Sequence, residues 1–89
     1  MKIRYTRRFV KQYEKIDTKI RKAFANRLKL FIENPQTPIL RNHFLKGSLN
    51  HYKSINITGD WRALYSQSQE EKQIITTFEM IGTHNQLYK

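Results

Sequence analysis

The chain has 89 residues, 17 Lys and Arg against 7 Asp and Glu, a formal charge of +10 and no cysteine. That length suits one compact domain over residues 1–89, and without Cys neither disulfides nor thiolate metal sites can supplement its core. No apolar run approaches the roughly 18 residues of a membrane span, and the N-terminus MKIRYTRRF lacks the apolar middle of a signal peptide, so a soluble, cytoplasmic protein without a membrane partner is expected.

Residues Lys2 to Tyr5 alternate Ile3 and Tyr5 with Lys2 and Arg4, the period of a short strand with one buried face. Thr6 is placed to cap a helix whose apolar stripe is Phe9, Val10, Tyr13 and Ile16. Asp17 or Thr18 restarts the pattern, and Ile20, Ala23, Phe24, Leu28, Phe31 and Ile32 carry a second helix until Asn34 and Pro35 end it. Pro35 to Leu40, with both prolines, reads as an irregular crossover. Beyond it the chain turns to strands: His51 to Ile57 and Trp61 to Tyr65 across a Thr58-Gly59-Asp60 hairpin, a polar turn from Ser66 to Lys72, then Gln73 to Ile81. The tail Gly82 to Lys89 suits a last helical turn or a segment lying against the sheet. The expected fold is α+β: an N-terminal strand, two helices and a three-strand antiparallel meander in one sheet, with the helices on one face and the other face open.

The charge exceeds what solubility requires and is uneven: 11 of the 17 bases fall in residues 1–30, against Glu14 and Asp17 alone. Such a field draws polyanions by releasing their counterions, and the same surface suits an acidic protein. His43, His51 and His84 are far apart and form no HxxxH pair, so no metal site is expected; the three glycines make no phosphate loop, and no GxSxG elbow is present. What remains is a cofactor-free set of His, Asp, Arg and Tyr. That set suffices for one reaction on RNA, in which the 2′-hydroxyl attacks the adjacent phosphate while a base, an acid and a cation assist. Residue types alone leave open whether the chain cleaves nucleic acid or only binds it.

The order and spacing of short motifs are more specific. Asn42-His43-Phe44-Leu45-Lys46-Gly47-Ser48, Tyr52-Lys53, Gly59-Asp60-Trp61-Arg62-Ala63-Leu64-Tyr65 and Ile81-Gly82-Thr83-His84-Asn85-Gln86-Leu87-Tyr88 together resemble the YafQ branch of the RelE/ParE toxin superfamily. The resemblance implies a RelE-like two-layer sandwich and a toxin of a type II toxin-antitoxin system. It further implies an endoribonuclease that cuts messenger RNA on the ribosome, an acidic antitoxin partner, and contact with operator DNA only through that antitoxin. Carried over by position, it implies a catalytic set of His43, Asp60, Arg62, His84 and Tyr88. His84 and His43 suit proton transfer, since an imidazole titrates near the operating pH. Asp60 would orient a histidine or act as base, and reads equally as the turn residue of the hairpin.

Arg62 suits the scissile phosphate, with a surface pair to Glu79 as the ordinary alternative. Tyr88 would stack on a base, donate its phenolic proton, or simply pack the tail onto the sheet. Trp61 is assigned to the core. The pattern departs at Asn56, where a third histidine is expected; Asn hydrogen-bonds but exchanges no proton near neutral pH. Lys53 and Asn56 are then expected to bind the RNA, and Arg7, Arg8, Lys11 and Lys22 on the helices to contact the ribosome. A ParE-like inhibitor of gyrase and a catalytically degenerate homologue are the competing readings.

Overall fold

The computed structural model describes residues 1–88, so Lys89, the end of the expected tail, lies outside the described residues. Strand β1 (Lys2–Tyr5) leads directly into helix α1 (Arg7–Glu14). Thr6 makes that junction: its hydroxyl oxygen accepts the Phe9 N–H at 3.1 Å and its O–H donates to the Glu79 carbonyl at 3.0 Å. The cap therefore starts the helix and ties it to the sheet, where an Ala would forfeit about 1 kcal/mol for the cap alone. Helix α2 (Thr18–Glu33) is capped by Asp17 and stops at Asn34, one residue before Pro35. Within the crossover, Pro38–Leu40 forms a 3₁₀ turn that buries Leu40.

Five strands make one sheet in the order β1-β5-β4-β3-β2, with β3 (Lys53–Thr58), β4 (Trp61–Glu70) and β5 (Gln73–Thr83) as the antiparallel meander. β1 lies parallel to β5, Lys2 to Tyr5 against Ile75 to Phe78. Two features differ from the sequence expectation. A two-residue strand, β2 (His43–Phe44), adds to the free edge of β3. The polar run Ser66 to Glu70 is strand rather than turn, because Gln67, Ser68, Gln69 and Glu70 pair in register with Thr76, Ile75, Ile74 and Gln73; the turn shrinks to Glu71 and Lys72, with Glu71 left-handed at φ 54°. Backbone pairing against β5 needs no apolar alternation in the added strand, whose residues Gln67 to Glu70 are polar and exposed, so periodicity gave no sign of it.

The core lies between the helices and one face of the sheet. Phe78 is its centre, fully buried, with the rings of Tyr5, Phe9, Phe24, Phe31 and Tyr65 at 5.4 to 6.0 Å. Filling that position is worth about 3–5 kcal/mol relative to Ala, a large part of a stability of about 5–15 kcal/mol. Val10 and Ile32, assigned to the apolar stripes, are instead about half exposed, at 46% and 52%. Trp61 is half-buried at the rim of the core rather than inside it, beside Gln12, Ile16 and Gln86.

β1 is shorter than β5, so the edge of β5 beyond Phe78 has no strand beside it. Helix α1 satisfies that edge with side chains: Thr6 bonds the Glu79 carbonyl, and the Gln12 Oε1 accepts the Ile81 N–H at 2.9 Å. A Gln12→Leu variant keeps the volume and orphans this N–H, so we expect it to lose about 1–3 kcal/mol in urea unfolding. Gln12→Glu, which still presents an acceptor, should retain most of the stability.

Candidate active site

Strand parity divides the two faces. Ile55, Ala63 and Tyr65 point to the helices, so Ser54, Asn56, Arg62 and Leu64 point to the opposite face. That face is not fully open as the sequence suggested: Leu64 and Ser54 are buried there, and the chain end folds back over it as α3 (His84–Leu87). Between α3, β2 and the loop after β2 lies a cleft of about 560 Å³, lined by Arg41, His43, Lys46, Asn56, Arg62, His84 and Tyr88, with Leu45 and Leu49 as its apolar wall.

His43 reaches the cleft because β2 pairs it with Ser54. The preceding residues are fastened: Asn42 Nδ2 donates to the Pro35 carbonyl at 3.0 Å, and the Tyr65 hydroxyl donates to Asn42 Oδ1 at 2.7 Å. Burial pushes the Tyr65 phenol up to about 12, against the smaller opposing effect of the Asn42 bond. Arg41 stands in the left-handed region at φ 46°, and its carbonyl lies 2.6 Å from His43 Nδ1.

Arg62 sits between Asn56 of β3 and Gly82 of β5. Its Nη1 donates to the carbonyls of Gly59 and Trp61, each at 2.9 Å, while Glu79 accepts from Ser66 at 2.6 Å, so the Arg62–Glu79 pair is not made. α3 starts at a capping box in which the Thr83 hydroxyl accepts the Gln86 N–H and the Gln86 side chain accepts the Thr83 N–H. The His84 N–H donates to the Asp60 carbonyl at 2.9 Å. The rings of His84 and Tyr88 meet edge-on at 4.5 Å, and the Tyr88 hydroxyl lies 3.1 Å from Ser54 Oγ, which pins the chain end across β3.

Gly82 makes this close approach possible. A Cβ there would stand 2.9 Å from Gln86 Oε1 and 3.3 Å from Leu87 Cδ2, so any side chain would displace the Gln86 amide that caps α3 and crowd Leu87.

His43, Asn56, Arg62, His84 and Tyr88 therefore share one cleft. Asp60 is not among the residues lining it; it is exposed in the β3–β4 turn and touches the site through its main-chain carbonyl. Lys53 lies on the helix-side face, its Nζ 4.6 Å above the Phe44 ring. Arg7, Lys11 and Lys22 are exposed on the helices, and Arg8 rests its Nη1 3.3 Å from Met80 Sδ. Sequence reasoning missed Arg41 and Lys46. The signal was available, because both flank the Asn42-His43-Phe44-Leu45 run and are brought in with it.

No carboxylate lines the cleft. Among the described residues one ion pair is closed, Arg4 to Glu70 at 3.1 Å, and no group of His, Cys, Asp and Glu converges as a metal site would. Three cations, two imidazoles and a phenol can hold an anionic group and move protons at its flanks.

The chain belongs to the YafQ family of bacterial toxins of type II toxin-antitoxin systems, whose family model matches residues 1–89. In structure it is similar to YafQ from E. coli strain BL21(DE3), with a TM-score of 0.79 and 22% identity over 98% of this chain and 97% of that one. It is also similar to the YoeB/ParE toxin from Agrobacterium tumefaciens, with a TM-score of 0.76 and 21% identity over 94% of this chain and 99% of that one. The toxin of the E. coli DinJ-YafQ complex matches with a TM-score of 0.66 and 23% identity over 98% of this chain and 97% of that one. Among curated proteins none matches in sequence.

Gly82→Ala should cost about 1–3 kcal/mol by overpacking and should shift the NMR signals of the Gln86 side-chain amide and the Thr83 N–H as that capping bond is displaced. For Tyr65, the phenol is neutral in both states below pH 10, and between pH 10 and about 12 only the unfolded chain ionises. This contribution to stability is thus intact below pH 10 and lost as pH rises to about 12. Urea midpoints measured across that window should fall more steeply for wild type than for Tyr65→Phe.

Proposed function

We propose that this toxin, acting as a single domain over residues 1–89, is a ribosome-dependent endoribonuclease that cuts messenger RNA by metal-independent acid-base chemistry. The observation that carries the reading is the cleft itself, where Arg41, Lys46 and Arg62 surround His43 and His84 with no carboxylate among them. Three cations suit a phosphodiester and the extra charge of its phosphorane. The nucleophile is the RNA's own 2′-hydroxyl. It loses its proton to one imidazole, O2′ bonds to phosphorus, the P–O5′ bond breaks, and the leaving O5′ takes a proton from the other imidazole, leaving a 2′,3′-cyclic phosphate. Arg62 holds the phosphate and Tyr88 fixes the far wall; Asp60 acts as a positioning residue through the carbonyl that takes the His84 N–H.

The ribosome is the partner that the basic helices suit. Arg7, Arg8, Lys11 and Lys22 are exposed there, and a field of +10 draws ribosomal RNA. The solved DinJ-YafQ complex supports an antitoxin as the second partner, and a charge of +10 favours an acidic one. Operator DNA would be reached only through that complex, and the site of action is the cytoplasm.

Inducible expression in bacteria, with messenger 5′ ends mapped by primer extension, tests the reading. Codon-phased cuts are expected from wild type. His43→Ala and His84→Ala should each lower cleavage by roughly 10²–10⁴-fold, the contribution of a positioned acid or base. Growth arrest with intact messenger would overturn the ribonuclease and point to a target such as gyrase.

A further inference from the structure

We infer that the main-chain carbonyl of Arg41 fixes the tautomer of His43 and so leaves Nε2 as its proton-accepting nitrogen, an inference that rests on the endoribonuclease reading with His43 as its base. A carbonyl oxygen only accepts, so at 2.6 Å from it Nδ1 must carry the hydrogen. Nε2 is then the ring's free nitrogen, and in neutral His43 it holds a lone pair. Such a ring accepts the 2′-hydroxyl proton at Nε2 while Nδ1 keeps its bond to the carbonyl. His84 is left to protonate the departing O5′. The Tyr88 hydroxyl, which shares the cleft, is engaged with Ser54.

The carbonyl is aimed by backbone conformation. Arg41 ends the 3₁₀ turn at φ 46°, ψ 49°, with its N–H bonded to the Pro38 carbonyl at 3.1 Å. For a non-glycine residue that conformation costs about 1–2 kcal/mol, and the next residue, Asn42, is held by Pro35 and Tyr65. The charged and titratable groups facing His43 across the cleft are Arg41, Lys46, Arg62, His84 and Tyr88. None of them is a carboxylate that could hold Nδ1 instead. Arg41 is thus a positioning residue through its backbone, apart from any contact its guanidinium makes with RNA.

The test compares Arg41→Gly with Arg41→Val. Both remove the guanidinium, but Gly adopts a positive φ freely and a β-branched residue does not. Long-range ¹H–¹⁵N correlation spectra would be taken about two pH units above the ordinary histidine value. We expect a protonated Nδ1 and a bare Nε2 for His43 in wild type and in Arg41→Gly, with a mixture or the reverse in Arg41→Val. Messenger cleavage by Arg41→Val should fall at least about tenfold below Arg41→Gly, within the range that a general base contributes. A protonated Nε2 in wild type would overturn the inference without recourse to any variant, as would identical tautomers and rates in the two variants. A protonated Nδ1 in a wild-type protein that cuts no messenger would uphold the lock and overturn the base assignment together with the ribonuclease reading.

Discussion

The edge of β5 that β1 leaves bare governs the rest of the molecule. A sheet edge buried without partners would cost about 1–3 kcal/mol for each orphaned group, and β1 covers only Ile75 to Phe78 of an 11-residue strand. The chain meets the remainder by running straight from β1 into α1 and laying Thr6 and Gln12 along it. That solution fixes the angle of α1 against the sheet and brings Phe9 onto Phe78 at 6.0 Å. It also holds rigid the stretch of β5 that continues through Gly82 and Thr83 into His84. The position of His84 is therefore inherited from a helix cap about eighty residues earlier in the chain.

A second regularity concerns how the charged side chains of the cleft are held. In most proteins an arginine in a groove is oriented by a carboxylate, which also neutralises it. Here the acceptors are main-chain carbonyls: Gly59 and Trp61 for Arg62, and Arg41 for His43. A carbonyl dipole orients a donor while leaving its net charge in place. The cleft thus keeps its full positive potential, at the expense of self-repulsion in a chain already at +10. Such a site is poised for a polyanion, and an acidic segment bound there would relieve the same repulsion.

Much of this was legible in the sequence, and the parts that were not share a cause. Caps and apolar periodicity identified β1, both long helices and the meander, because Thr6, Asp17 and Asn34 act locally. The motif order brought His43, Arg62, His84 and Tyr88 to one face. β2 was hidden because two residues have no periodicity, and the Ser66 to Glu70 extension because its own residues are polar and mostly exposed. The direction of a side chain at a turn is set by backbone torsions that no pattern encodes. Asp60, which follows Gly59 at φ 52°, is exposed and is not among the residues that line the cleft with Arg62. The same limit concealed the left-handed backbone of Arg41, although its place beside the Asn42-His43 run was in view.

Asn56 bears on how few titrating groups such a site requires. It lies directly opposite Arg62 in the β3–β4 register, at the position where the family pattern led us to expect a histidine. An amide there can donate and accept hydrogen bonds but adds no charge, whereas an imidazolium would face the guanidinium across a cross-strand distance of about 4.5–5.5 Å. Phosphodiester transfer needs one group to take a proton and one to give it. His43, with Nδ1 committed to a carbonyl, and His84, beside the anchored Tyr88, differ enough in surroundings to divide those tasks. In the proposed reaction a third imidazole would be redundant for proton transfer, and the Asn56 amide would offer a neutral partner for a ribose or phosphate oxygen next to Arg62.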